Sequence, residues 1–469
     1  MRSPSALLTL PMALVGLLTI LPAAGADAAP RLKLVGGGDA SATICGTTKP
    51  VRQVAPGRAL RVEVPVARTR RAKKQRAGST VVVDRCVDGR WRSIRTFRLS
   101  RTGRPLTAAL PTGTDAIGDI RVRSRMRSGR YGRSTYARIG VGEIVDVPVS
   151  FRVVNGNRTA IPCLGAPDGK TYTVHGTLVA PRAVLESGKP AVTVYLHGLG
   201  YSSFFFRFKD VPGYDYGLQQ AQAGHASVVI DRLGNPAHDD LPDGNATCIP
   251  AQADMADQII DALRQGRTGG PEDAPKFDRV LLAGHSLGGF ITQITQYAFG
   301  SADAIAVIAY NDVPSVLALT TFANASLDCA LAPQRSRGTE GSPGYAAFGR
   351  TDADFTAGHL HNVDPDVAKA VLARRNMDAC GDLLSALQSL VVDHLGTRLG
   401  ITSPVLVVSG ANDTLFAPPT NALQAGTGYL RSSDVSLVEL PDTGHAITLG
   451  RTHERFRTEM DRWLTAHGG

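Results

Sequence analysis

After residue 24 the chain has no apolar run approaching the roughly 20 residues a membrane-crossing helix needs, so no such helix is expected there. Tryptophan occurs only twice. Between residues 30 and 140 the aromatics are Trp91, Phe97, Tyr131 and Tyr136, too thin a set for a base-stacking platform, and a nucleic acid is not expected as partner. Internal repeats are absent. Acidic residues are scarce in that same stretch, which holds 26 Lys and Arg against 6 Asp and Glu, a net of +20. The whole chain carries only +10, so residues 141–469 are acidic, with a net of −10. Cysteine is sparse but even in number, as expected in an oxidising compartment: Cys45, Cys86, Cys163, Cys248, Cys329 and Cys380. Six allow 15 pairings, of which locality favours Cys45–Cys86, Cys163–Cys248 and Cys329–Cys380.

What is present begins with a leader. Arg2 precedes a nearly continuous apolar stretch over 5–24, interrupted by Pro11 and Pro22, and Ala23-Ala-Gly-Ala-Asp-Ala-Ala29 follows. Small residues in an Ala-x-Ala pattern mark a signal-peptide cleavage site between Ala26 and Pro30, so the expected location is secreted. A mature chain of this length exceeds what one core usually organises, and the charge reversal near residue 141 locates a boundary. The expected division is a leader 1–29, a basic β-sandwich 30–142, a core in two parts (143–312 and 401–469) and an insertion 313–400.

The basic part consists of short alternating runs over 60–66, 80–86, 90–99, 119–125 and 137–141, separated by glycine, proline and polar turns, as in an all-β sandwich. The arginine-rich segment 68–76 is expected to form a hairpin loop. Much of the arginine falls on alternate strand positions and would face solvent; an anionic cell-surface polymer is the partner this charge would suit.

The chemistry lies further on. In Arg279-Val-Leu-Leu-Ala-Gly284-His285-Ser286-Leu287-Gly288-Gly289 an apolar strand-type run stops at Gly284, a serine follows, and a helix-type pattern starts at once. Gly284 and Gly288 permit a sharp strand-to-helix turn that lifts the Ser286 hydroxyl and aims a helix N-terminus at what it attacks. A serine nucleophile needs a base, and the base needs an acid to orient it. Downstream, the strand-type run 403–409 ends in a loop carrying Asp413, and the run 435–440 ends in a loop carrying His445. Loops at the carboxyl ends of parallel strands open on one face, so the three side chains can meet. Upstream, the run 191–196 ends in His197-Gly198-Leu199-Gly200, whose Leu199 amide can join the Leu287 amide in stabilising an oxyanion.

Four such motifs in the order oxyanion loop, serine, acid, histidine make residues from about 150 to 467 resemble the α/β-hydrolase superfamily of serine esterases, lipases and small-substrate peptidases. The resemblance implies an α/β fold, with a mostly parallel sheet flanked by helices, and the roles of nucleophile, acid and base for Ser286, Asp413 and His445. It implies neither metal nor organic cofactor, and a small-molecule or lipid-like ester as substrate. A serine rather than an aspartate at the elbow argues against the dehalogenase and epoxide-hydrolase branches. Residues 30–140 resemble, less specifically, the Ig-like or fibronectin-like modules of bacterial secreted proteins.

Other residues have duller readings. Asp312 stands where some relatives put the acid, but Asp413 is preferred. His285 is expected to pack beneath the elbow, His197 to brace its own loop, and Asp231 to sit in a structural turn. His359 and His361, near Asp352, Asp354, Asp364 and Asp366, lack a coherent partner set and are not read as a metal site. The cluster 204–208, with four phenylalanines, fits an apolar acyl pocket or plain core. Helices are expected over 216–223, 252–264, 290–299 and 451–467. The insertion should carry helices over 317–323, 367–375 and 383–395, closing over the serine as a lid, with a Gly/Ser-containing loop at 336–349. A peptidase similar to the proline iminopeptidases is the rival, with Asp239, Asp240 and Glu340 as candidates for binding a substrate amine. A non-catalytic cell-surface binding protein is a second.

Overall fold

The computed structural model describes residues 30–469 apart from 36–37, 46, 55–59, 67, 88–89, 100–104, 111–117, 141–142, 164–166, 236–240, 271–273 and 332–342. The leader, Asp239, Asp240, Glu340 and the first half of the 336–349 loop therefore lie outside the described residues. The chain forms two compact units, one within residues 30–138 and one running from Ile139 to Gly469.

An eight-stranded sheet organises the second unit. Its strands in chain order are β1 (Ile144–Val154), β2 (Thr171–Pro181), β3 (Ala191–Leu196), β4 (Ser227–Ile230), β5 (Arg279–His285), β6 (Ile305–Ile308), β7 (Val405–Gly410) and β8 (Val435–Leu440). Their spatial order is β1-β2-β4-β3-β5-β6-β7-β8. The first two are antiparallel additions and the rest run parallel. β3, β4, β6 and β7 are built almost wholly of Val, Ile, Leu and Ala and are buried on both faces, as strands covered by helices on each side must be. The register decides the rest. Leu196 pairs with Gly284, His285 with Ile308, Ile308 with Val408 and Gly410 with Leu440, so the loops that follow β3, β5, β7 and β8 leave along one edge of the sheet.

Covering helices are α1 (Tyr216–Ala223), α2 (Ile249–Arg264), α3 (Leu287–Phe299), then α4 (Val316–Leu331), α5 (Asp352–His359), α6 (Pro365–Arg374) and α7 (Cys380–Gly400) between β6 and β7, and finally α8 (Thr420–Thr427) and α9 (His453–His467). Several begin earlier than the periodicity predicts. In α2 the Cys248 sulfur accepts a hydrogen bond from the Ala251 amide and Pro250 occupies the first turn, where its missing N–H costs nothing. Periodicity does not predict α5; Thr351 and Asp354 form the capping box that starts it. Cys163 is bonded to Cys248, and Cys329, at the end of α4, to Cys380, at the start of α7.

The first unit is strand-rich. Lys33–Val35, Arg61–Val64 and Leu106–Ala109 make a three-stranded sheet, while Gly38–Ile44, Thr47–Val54, Thr80–Val87, Arg90–Arg98, Gly118–Arg125 and Thr135–Ile139 make a six-stranded one. Val62, Val81, Val82, Val83, Ile120 and Val122 are buried, and Arg121 and Arg123 alternate with Ile120 and Val122. Buried Asp84 pairs with Arg121 and Arg123, each at 2.9 Å, and Cys45 is bonded to Cys86. The expected hairpin loop at 68–76 is instead a helix, Arg70–Arg76. Its last residue turns back and donates from its guanidinium to the carbonyl of Pro65 at 2.8 Å, which anchors a turn that local charge would otherwise disfavour.

Candidate active site

Ser286 follows β5 and precedes α3 with φ 53° and ψ −119°, a left-handed conformation that costs a serine about 1–3 kcal/mol. The turn holds because its amide donates to the Ile308 carbonyl on the neighbouring strand at 2.8 Å, while its own carbonyl accepts from Gly289 and Phe290. Glycine is needed on either side. A Cβ on Gly284 would lie 2.0 Å from the Gly288 carbonyl oxygen, and one on Gly288 would lie 2.2 Å from that of Leu196.

The loop after β3 lies directly against the elbow, since a Cβ on Gly198 would come within 2.8 Å of the Ser286 Cβ. His197 is fully enclosed and its pKa falls to about 3, first through burial and then through the Arg232 guanidinium. Its Nε2 accepts from the Arg232 amide at 3.2 Å, which leaves Nδ1–H to donate to the Gly198 carbonyl at 2.9 Å. His197 thus stays neutral and braces the loop. Among the described residues neither the Leu199 nor the Leu287 amide has an acceptor. The next residue, Gly200, is gripped from the insertion: its N–H donates to the Asp378 carboxylate at 2.9 and 3.1 Å, and its carbonyl accepts from the Asn376 amide at 2.9 Å. Asp378 is pushed up to about 7 by burial, against the pull of Arg232 and the Gly200 amide.

On the other side, Asp413 follows β7 and His445 follows β8. His445 Nδ1–H donates to Asp413 Oδ2 at 2.9 Å, and both side chains are wholly buried. Asp413 Oδ1 accepts from the Leu415 and Phe416 amides at 2.8 and 3.0 Å, so the acid is fixed by its own loop. With Nδ1 committed, Nε2 carries the lone pair of the imidazole, and it is a buried nitrogen without a hydrogen-bond partner among the described residues. His285, beside Ser286, donates from Nε2 to the His445 carbonyl at 2.9 Å and stacks on Phe205 at 3.9 Å. Burial holds its pKa well below the usual histidine range, so it supports the histidine loop as an uncharged ring.

The remaining candidates are distributed as follows. Asp312 accepts from Gln293 at 3.2 Å and pairs with His394 at 3.1 Å; the acid on His445 is Asp413. Asp231 accepts from the amide and hydroxyl of Ser203, a structural turn. His359 and His361 part company: His361 is exposed and meets Asp442 at 3.3 Å, whereas His359 is buried, stacks on Phe355 at 4.1 Å and stands edge-on to His445 at 4.9 Å. Among the described residues no group of three or more His, Cys, Asp or Glu is placed to hold a metal ion. The 204–208 cluster is core, with Phe205, Phe206 and Phe208 fully buried among Tyr195, Tyr201 and Tyr216. The apolar space lies elsewhere, in a cavity of about 240 Å³ lined by Phe290 of α3, Tyr310, Phe416 and residues of α4 and α7. Two contributors escaped the sequence: Asp378 and the His359 ring. Neither sits in a motif; His359 drew notice only as half of a His-x-His pair.

A family model described as the alpha/beta hydrolase family matches residues 193–458, a stretch that contains the loop after β3, Ser286, Asp413 and His445. The chain belongs to the alpha/beta hydrolase family. Among solved structures, the chain is similar to a thermophilic esterase from Thermogutta terrifontis, at 15% identity over 68% of this chain and 99% of that one, with a TM-score of 0.44. It is also similar to a Paleococcus ferrophilus monoacylglycerol lipase (18% identity, 59% and 94% covered, TM-score 0.41). A third is a peroxisomal alpha/beta-hydrolase from Saccharomyces cerevisiae (12% identity, 69% and 90% covered, TM-score 0.42). Among curated proteins nothing matches. At these identities nothing about a substrate transfers to this hydrolase.

Proposed function

We propose that this chain is a secreted serine hydrolase that cleaves a carboxylic ester through an acyl-enzyme. The observation that carries the reading is the Asp413–His445 pair, with its imidazole Nε2 unpartnered, in the loop that His285 ties to the strained Ser286 elbow. In the forward step His445 Nε2 takes the hydroxyl proton as Ser286 Oγ bonds to the ester carbonyl carbon. The Leu199 and Leu287 amides hold the negative oxygen. Collapse expels the alcohol, which leaves with the proton from His445. Water then attacks the acyl-serine, gives its proton to His445, and the acid departs as Oγ regains a proton. Every step uses groups of this chain, substrate and water.

Assaying p-nitrophenyl esters of graded chain length beside aminoacyl anilides tests the reaction class; turnover of the anilides and not the esters would favour the peptidase reading. The three disulfides and the alanine-rich leader support export. The basic strand-rich unit, an Ig-like module in this reading, would hold the enzyme to an anionic cell-surface polymer. A chain beginning near Val145 should then keep kcat on a soluble ester and lose its salt-sensitive retention on such material.

A further inference from the structure

α7 buries Leu383 and Ala386 as an ordinary surface helix would, but it also turns polar residues inward and leaves most of its large apolar ones outside. Asp382, Ser385, Ser389, Asp393 and Thr397 are buried. Leu384, Leu387, Val391, Val392, Leu395 and Leu399 are exposed, Leu387 by 68% and Val391 by 70%. Their spacing keeps them on one stripe, and apart from Gly400 no other residue described on this helix is exposed. α4 lies beside it, tied by Cys329–Cys380, and adds exposed Val316, Leu319, Leu327 and Leu331. Its one acid, Asp328, is paired with Arg350 at 2.7 Å. Leaving such a face in water forgoes the usual gain from apolar burial, and large apolar patches mark sites of association. No helix among the described residues is long and apolar enough to cross a membrane.

The stripe is continuous with the apolar cavity. Leu319 and Leu387 line that cavity and are also exposed, so its mouth opens on the outer face between α4 and α7. At its inner end are Phe290, whose amide donates to the Ser286 carbonyl at 3.1 Å, and Phe416, whose ring lies 5.8 Å from that of His445. An apolar route thus leads from the outside of the insertion to the elements that hold the serine and histidine.

We propose that the α4–α7 face docks on the surface of an aggregated long-chain ester, a micelle, droplet or bilayer, and admits the aliphatic acyl chain between the two helices into the cavity beside Ser286. The proposal rests on the ester-hydrolase reading and names its substrate class. A lipid surface satisfies the exposed stripe and supplies the cavity through the same mouth, whereas a second copy of the chain seated there would cover that mouth.

The test uses the full chain, with Val391, Leu395 and Leu399, none of which lines the cavity, replaced together by Asp in one variant and by Gln in another. Binding is read by co-flotation with phosphatidylcholine vesicles in a Ser286→Ala background, so that docking is scored without hydrolysis. Both triple variants should bind vesicles at least about tenfold more weakly, since each buried apolar side chain contributes a factor of that order. With Ser286 intact they should hydrolyse dissolved p-nitrophenyl acetate within about twofold of the parent and emulsified triolein at least about tenfold more slowly. Undiminished vesicle binding and triolein hydrolysis in both variants would overturn the proposal. So would a parent chain that sediments as a dimer and becomes monomeric in both variants, because the stripe would then be a self-interface. A parent inert to every ester while still floating with vesicles would instead sink the hydrolase reading and leave the docking surface standing.

Discussion

Asp413, in the core, is buried and its two oxygens meet three donors, two of them backbone amides of its own loop. Asp393, in the insertion, is equally buried, yet one oxygen has no partner among the described residues and the other accepts from Gln293 at 2.6 Å. Burial, with the Asp312 carboxylate close by, pushes Asp393 well above the usual carboxylate range. Asp378 and Asp382 are raised too, again first by burial. The two regions solve different problems. The core holds its acid by short-range backbone geometry that exists as soon as the loop forms. The insertion turns its polar residues inward at a cost in desolvation, and that cost is tolerable where the outward face meets something other than water.

Substitutions in the core should have the largest effects. Ser286→Ala and His445→Ala are expected to lower kcat on a soluble ester on the order of 10⁴–10⁶-fold with the thermal midpoint little changed, and Asp413→Asn somewhat less. A folded Ser286→Ala protein with near-parental turnover would remove the distinction between a reacting core and a supporting insertion.

Opening the insertion should rank second. Cys329 and Cys380 close a segment of 51 residues, and constraining a loop of that length is worth about 4 kcal/mol in the chain-entropy picture. The double change Cys329→Ser/Cys380→Ser should therefore lower the thermal midpoint clearly. Loss of activity on p-nitrophenyl acetate should stay well short of that in Ser286→Ala, since neither cysteine touches the reacting groups. Equal losses would mean that the insertion builds the catalytic centre itself.

How far the sequence was legible follows the same division. The elbow, acid and histidine could be read because each follows a strand within a few residues, and parallel strands in register deliver such loops to one edge. α3 starts three residues before the 290 that periodicity predicts, because the turn at Ser286 is sharper than helix periodicity reveals. The grip of Asp378 on Gly200 spans 178 residues and leaves no local trace. The helical character of 383–395 was visible, but which stripe of α7 would face inward was not, since its polar and apolar spacings are equally helical.

The Asp378 grip offers a pH test of intermediate size. Folded, this carboxyl titrates near 7 against an ordinary 3.8. Between those values the folded protein holds a proton that the unfolded chain has lost, so stability falls as pH rises through the window and the penalty is complete above pH 7. Asp378→Asn keeps an acceptor for the Gly200 amide and removes the titration. Its unfolding free energy should match the parent's near pH 4 and exceed it at pH 8 by roughly 4 kcal/mol. Parallel stability curves for parent and variant would show that Arg232 and the Gly200 amide already hold Asp378 ionised.

The smallest change is expected at Asp312, and it bears on the comparison most directly. Asp312 ends the segment after β6, where the core gives way to the insertion, and it is bonded to Gln293 and His394. Asparagine there keeps an acceptor for the Gln293 amide and removes the negative charge beside Asp393. The rate on a soluble ester should then change by less than about tenfold, against a loss approaching 10⁴-fold for Asp413→Asn, whose amide cannot hold the imidazole in the required tautomer. Measuring both variants at one pH, with thermal midpoints, separates a lost acid from a lost fold. If Asp312→Asn proved as inactive as Asp413→Asn while remaining folded, the pair of acids would share the work of orienting the base. The boundary between reacting core and supporting insertion would then run through Asp312 rather than beyond it.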